Sequence, residues 1–168
     1  MGGSAGALEA FEQFFSIMPL DSGLAFVIVT HLDPTQKSMM PELLARHTSM
    51  KEVEVEGGMP VRPDHVYVIP SNKDMTILNG VLHLHEPSSL RAVRAPIDLF
   101  FRHLAEDQED RAIAIIVSGM GSDGTQGAKA IKEHLGLALA QDARSAKYDG
   151  MPKSAIGTGL MDYVVTPQ

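Results

Sequence analysis

The sequence has no cysteine in 168 residues, which excludes disulfides, thiolate nucleophiles and cysteine metal sites together. It also lacks any apolar run near the roughly 20 residues that span a bilayer, so membrane insertion is not expected. No signal-peptide pattern opens it, and the expected compartment is the cytoplasm. Positive charge is scarce: 14 Lys and Arg stand against 21 Asp and Glu, a formal net charge of −7. Phosphate backbones are bound by basic faces, so nucleic acid is not an expected partner. Internal repeats, low-complexity segments and linkers are absent as well. What remains is a single domain, residues 1–168, large enough to bury a sizeable core, with the 44% hydrophobic and 21% charged content of an ordinary globular protein.

What is present is organised around Ala112–Gly127, AIAIIVSGMGSDGTQG. The run Ala112–Val117 is β-branched and ends at a glycine turn, the pattern of a strand buried on both faces of a parallel sheet. A helix follows through Gly127–Lys132. Strand, turn and helix make half of a βαβ unit, and ligands or catalytic groups gather at the carboxyl ends of such strands. Asp123 stands there. Gly119–Gly124 also fits G-x-G-x-x-G, and the next strand, Leu137–Ala140, ends in Gln141-Asp142, where a dinucleotide fold would hold a ribose hydroxyl. Against this reading, a carboxylate inside the turn repels the pyrophosphate that helix amides attract. In a third reading the glycines only permit a tight turn and Asp123 caps the helix.

Gly2-Gly3-Ser4-Ala5-Gly6 fits G-x-S-x-G, the elbow that exposes a serine hydroxyl between strand and helix. Leu8, Phe11, Phe15 and Met18 follow at helical spacing, and Pro19 stops the helix. The bland alternative is a flexible terminus or a serine cap. A second buried strand, Leu24–Thr30, delivers His31 at its carboxyl end, the position that matches Asp123. Beyond a turn at Leu32-Asp33-Pro34, a short helix runs through Met40–Ala45. His47, His65, His103 and His134 read as satisfied polar residues. His83 and His85 share one face of a strand, a spacing that permits a metal pair, but no third ligand is near and an exposed hairpin face is the simpler reading.

Val53–Glu56, His65–Pro70, Met75–Leu78 and Val81–His85 read as short strands, with Asn79-Gly80 a hairpin signal. The expected fold is therefore α/β: a doubly wound, mainly parallel sheet with helices on both faces and an antiparallel hairpin insertion at about residues 65–85. A helix begins at Pro96. Leu137–Ala140, a short helix after Met151-Pro152, and a final strand Asp162–Val165 complete the pattern.

Ser4, His31 and Asp123 all fall at or just after carboxyl ends of parallel strands. A serine needs a base to act as a nucleophile at neutral pH, and the base needs an orienting carboxylate. The order Ser…His…Asp differs from the Ser…Asp…His of α/β-hydrolases. From the residues alone, Asp21, Asp33 and Asp142 compete with Asp123 as the third member.

These segments resemble the catalytic domain of the protein-glutamate methylesterases of bacterial chemotaxis, the CheB family. The resemblance runs in order through Gly2–Gly6, Thr30–Pro34, Tyr67–Pro70, Pro96–Phe101, Gly119–Gly124, Ala140–Asp142 and Gly150–Pro152. Its wording is also similar to methylesterase domains fused to a methyltransferase. The resemblance implies Ser4 as nucleophile, His31 as general base and acid, Asp123 as orienting carboxylate, and the Met120 amide as oxyanion donor. Elbow geometry adds the Ala5 amide. The implied reaction is hydrolysis of glutamyl methyl esters on receptor helices, with glutamine deamidation by the same chemistry and with no metal or organic cofactor. Here Ala5 stands where the family often has threonine, and Gly6-Ala7 where it often has a glycine pair. A catalytically inactive module that binds receptor helices or a partner domain is the alternative of another class. Regulatory or fused domains are expected outside this sequence. Arg91, Arg94 and Lys37 are candidates for attracting an acidic receptor helix. The first strand of the sheet is expected at its centre, between the strands ending at His31 and near Asp123, and is expected to be truncated here.

Overall fold

The apolar runs become parallel strands that all deliver their chain to one end of a sheet. The computed structural model describes residues 1–31, 39–87 and 94–168. Lys37, Arg91 and the Leu32-Asp33-Pro34 turn lie outside the described residues. In chain order the elements are β1 (Gly2–Gly3), α1 (Ala7–Ile17), β2 (Phe26–Thr30), α2 (Met40–Leu44), β3 (Lys51–Glu54), β4 (Met59–Pro60), β5 (His65–Val68), β6 (Asp74–Leu78) and β7 (Val81–His85). They continue with α3 (Pro96–Gln108), β8 (Ile113–Ile116), α4 (Thr125–Glu133), β9 (Leu137–Gln141), α5 (Gly150–Ile156) and β10 (Tyr163–Val165). Among the described residues, seven strands form a parallel sheet in the order β10-β9-β8-β1-β2-β5-β3, and β4-β7-β6 form a small antiparallel sheet.

β1 holds the central place expected of the first strand. Gly2 pairs with Val29 on one side and Ile116 on the other. The ladder extends beyond the two glycines: Val29 N–H donates to Met1 O at 2.9 Å, Val117 N–H to Gly2 O at 2.9 Å, and Ser4 N–H to Ser118 O at 3.0 Å. Residues 1–4 thus satisfy backbone groups of both neighbours, which would be costly to leave unpaired in the core.

The antiparallel part is narrower than the hairpin pattern suggests. β5 pairs in parallel with β2 and β3, so it belongs to the main sheet. The turn between β6 and β7 is Asn79-Gly80, both left-handed at φ 52° and 70°, the pairing that matches strand twist. α3 lies between the two sheets: Ile97, Phe100 and Phe101 are buried in one cluster with Val27 and Val29 of β2 and Met75, Ile77 and Leu82 of the small sheet. Phe11 and Phe15 of α1 and Leu44 of α2 cover the other face.

β8 departs from the expectation of burial on both faces. Ala114 and Ile116 are buried, whereas Ile113 and Ile115 are half-buried. Their face borders an apolar groove of about 300 Å³ between Ala10, Phe14 and Ile17 of α1 and Leu139 of β9. No described helix fills that groove.

α3 and α4 touch so closely that Gly127 has no room for a side chain. A Cβ there would fall 2.5 Å from Phe101 Cβ and 3.1 Å from the Asp98 Cα. Gly→Ala inside a helix ordinarily gains up to about 1 kcal/mol. Here Gly127→Ala is expected to reverse that sign and cost about 1–3 kcal/mol through overpacking. Urea denaturation measures it, and a stabilised variant would contradict this packing.

Candidate active site

Ser4 ends β1, and the chain turns at once into α1, with Gly6 left-handed at φ 71° and Ala7 N–H on Ser4 O at 3.1 Å. His31 follows the last residue of β2. The β1–β2 register sets Gly3 opposite Thr30, so Ser4 and His31 leave neighbouring strands side by side, where strand axes lie about 4.8 Å apart. Asp123 comes from the loop after β8, the other neighbour of β1.

His31 Nε2 lies 2.6 Å from Asp123 Oδ2, the short distance of a charge-assisted bond. The His31 side chain is 41% exposed and that of Asp123 only 7%, so a substrate reaches the imidazole and not the carboxylate. Asp123 is oriented from behind: Oδ2 accepts the Ile97 N–H at 3.1 Å and Oδ1 the Asp98 N–H at 2.8 Å. These are first-turn amides of α3, which have no partner inside their own helix. The cap reading of Asp123 thus holds for a different helix from the one that follows it. Of the competing carboxylates, Asp142 is engaged by Arg144, whose guanidinium and amide bonds hold its carboxyl below the usual aspartate range. Asp33 lies outside the described residues, and no bond joins Asp21 to His31 among the described ones.

Ser4 Oγ accepts the Met120 N–H at 3.1 Å and points its hydroxyl at Met151 Sδ, 3.5 Å away. No hydrogen bond joins Ser4 to His31 in this state. With Nε2 committed to Asp123, Nδ1 is the imidazole nitrogen left to receive a proton. The Ala5 amide engages no acceptor among the described residues. The elbow is fastened by a serine that sequence reasoning passed over: Ser118 Oγ donates to Ala5 O at 2.8 Å and accepts the Tyr148 N–H at 2.9 Å. Its own N–H goes to Gln141 Oε1 at 2.9 Å. A polar residue closing an apolar strand was the available signal.

The dinucleotide reading finds its anchor already taken. At the start of α4 the Gly127 N–H donates to Asp98 Oδ1 at 2.7 Å, so this chain's own carboxylate sits where a phosphate would be drawn. Gln141 and Asp142 are likewise spent on Ser118 and Arg144. No group of three or more metal-ligating side chains occurs among the described residues; His85 Nε2 instead meets Thr76 Oγ1 at 2.8 Å.

Arg94 is held inward, its guanidinium on Asp74 Oδ1 at 2.8 Å and Lys73 O at 3.0 Å. It ties the start of α3 to β6. Lys147, unnoticed in the sequence, is exposed and lays its stem over the elbow, within 2.8 Å of where a Gly6 Cβ would stand. Its ammonium has no partner among the described residues.

Comparison with known proteins agrees with this architecture. The model of the CheB methylesterase family matches residues 1–168. A putative protein-glutamate methylesterase/protein-glutamine glutaminase of Leptospira interrogans is 32% identical over 99% of this chain and 86% of its own length. The Thermotoga maritima protein-glutamate methylesterase/protein-glutamine glutaminase is 30% identical over 98% of this chain, which spans 49% of that protein. An uncharacterized 104.1 kDa protein of Rhodobacter capsulatus is 46% identical over 73% of this chain, but only 13% of its own length is covered. The crystal structure of the Thermotoga maritima CheB methylesterase catalytic domain superposes with a TM-score of 0.89 at 30% identity, over 99% of this chain and 90% of that one. The fold class is that of this catalytic domain, and the chain belongs to the CheB methylesterase family. No described helix is long and apolar enough to cross a membrane.

Gly119 tests the site's tolerance. A Cβ there would fall 2.6 Å from Ser4 Oγ and 2.1 Å from Met151 Sδ. Gly119→Ala is expected to displace the hydroxyl and lower ester hydrolysis about 100-fold; a rate within threefold of wild type would show that Ser4 is not so confined.

Proposed function

We propose that this chain is a serine hydrolase that removes methyl esters from glutamyl side chains of chemoreceptor-type signalling proteins, and deamidates glutamines by the same path. The carrying observation is the His31 Nε2–Asp123 Oδ2 contact at 2.6 Å, set beside Ser4 on the neighbouring strand. The family and the names of its members support the substrate class.

In this reading the Nε2–H of His31 donates to Asp123, which leaves the Nδ1 lone pair free. Ser4 turns from Met151 toward His31 as substrate enters. Its oxygen attacks the ester carbonyl while Nδ1 takes its proton, and the carbonyl oxygen becomes an oxyanion. The Met120 N–H, already directed at Ser4 Oγ, and the Ala5 N–H receive that charge. Collapse breaks the bond to methoxide, which leaves as methanol with the proton from Nδ1. Water then repeats the sequence on the acyl-enzyme and frees the glutamate. The residues require no metal or organic cofactor for this chemistry.

The observation favouring an inactive binding module is the Ser4 hydroxyl resting on Met151 instead of His31. Kinetics separate the two readings. Ser4→Ala and His31→Ala should each lower kcat on a glutamyl methyl ester by about 10⁶, and the double variant little more, because the residues act as a unit. Asp123→Asn should cost about 10⁴ by favouring the wrong tautomer. A folded wild-type protein no faster than Ser4→Ala would refute the esterase and favour the binding module.

The substrate helix is acidic, and so is this domain. Its approach is proposed to depend on cations, with Lys147 beside the elbow and Arg91, a candidate from the sequence alone, put ahead of Arg94, which is engaged with Asp74. Lys147→Glu and Arg91→Glu should raise KM for an acidic ester peptide by up to about tenfold at low salt, with the effect shrinking as salt rises. A salt-independent rise would refute steering.

A further inference from the structure

Asp98 is a buried carboxylate, 8% exposed, that the chemistry above does not use. It stands in the first turn of α3 and reaches across to the first turn of α4, where Oδ1 accepts the Gly127 N–H at 2.7 Å. In return Asp123, two residues before α4 begins, accepts the Ile97 and Asp98 amides at the start of α3. Each carboxylate therefore caps the helix that belongs to the other. The exchange leaves no slack, since Gly127 sits too close to Phe101 and to the Asp98 backbone for even a methyl group. Burial pushes the Asp98 carboxyl up from its ordinary range, and the charge of Asp123 adds to that, against the opposing Gly127 bond.

We infer that Asp98 is a positioning residue for the reaction: by pinning the start of α4 to α3 it fixes the Gly119–Gly124 loop, which carries both Asp123 and the Met120 amide. The loop is strung between two anchors. At one end Ser118 is bonded to Gln141 and Tyr148. At the other, Asp98 holds Gly127, and Thr125 Oγ1 meets Ser154 Oγ at 2.8 Å. Without the Asp98 side chain, α4 loses its hydrogen-bonded tie to α3 at Gly127, the loop before it is held less tightly, and the His31–Asp123 contact loosens with it.

This inference rests on the esterase reading for its kinetic arm only. The comparison set is Asp98→Ala, Asp98→Asn and Leu44→Ala, the last removing a buried side chain beneath the opposite face of the sheet. All are measured at a temperature where circular dichroism shows them fully folded. Asp98→Ala is expected to lower kcat about 30-fold with KM unchanged, in keeping with the cost of a sub-ångström to ångström misplacement. Asp98→Asn keeps an oxygen that accepts the Gly127 N–H and should recover kcat to within about threefold of wild type, while Leu44→Ala loses thermal stability and keeps its kcat. The second readout is the NMR resonance of the His31 Nε2 proton, expected in wild type and Asp98→Asn and lost in Asp98→Ala. An Asp98→Ala protein with normal kcat, or with the resonance intact, overturns the inference, as does an Asp98→Asn protein no better than Asp98→Ala. If wild type shows the resonance but no turnover, the esterase reading fails, and the resonance in the variants still decides the role of Asp98.

Discussion

The arrangement depends on one constraint: the Asp123 carboxylate must satisfy His31 and the open end of α3 at once. Helix N-termini present unpaired amides and favour negative charge. Asp123 supplies that charge to a helix 25 residues upstream while its outer oxygen holds the imidazole. A carboxylate fixed by two amides has little freedom to rotate, so the direction of the His31 ring is set by the placement of α3. That placement is set in turn by the sheet on one side and the β6–β7 hairpin on the other. The hairpin, far from the reacting atoms, thereby contributes to the site: it is the surface against which Phe100 and Phe101 pack.

The same economy appears around β1. A strand of only two glycines keeps its neighbours paired and carries Ser4 to the sheet end, because Met1 and Ser4 extend the ladder on both sides. Ser118 then locks the elbow to the loop that ends at Tyr148. Ser4, the Met120 amide and the Met151 thioether come from three separate stretches of chain. They meet because backbone bonds (Ser4 N–H to Ser118 O, Gly119 N–H to Tyr148 O, Met151 N–H to Gly119 O) act together with the Ser118 side chain.

Much of the fold was legible because parallel strands announce themselves as short β-branched runs, and the residues at their carboxyl ends are where chemistry collects. His31 and Asp123 could be singled out on that ground, and they do meet. The choice of Asp123 over other carboxylates came from resemblance, since spacing along the chain carries no information about which aspartate reaches His31. Asp98, Ser118 and Gln141 were opaque for the same reason: their partners lie 23 to 113 residues away. In sequence β5 reads as part of the hairpin region because its neighbours along the chain are antiparallel; its parallel pairing with β2 is a long-range fact. β8 looked buried on both faces because its isoleucines alternate with alanines, all of them apolar. Which face is covered depends on where α1 ends. Arg94 read as a surface cation because the acid it meets, Asp74, lies on a strand 20 residues back.

The central claim is that Ser4 is activated by His31. Labelling with a serine-directed fluorophosphonate, followed by mass mapping of the modified peptide, tests it most directly. The account predicts one adduct, on Ser4, formed at neutral pH in the wild-type chain and absent from His31→Ala. An adduct on another serine, or labelling of Ser4 that persists at the same rate without His31, would contradict it.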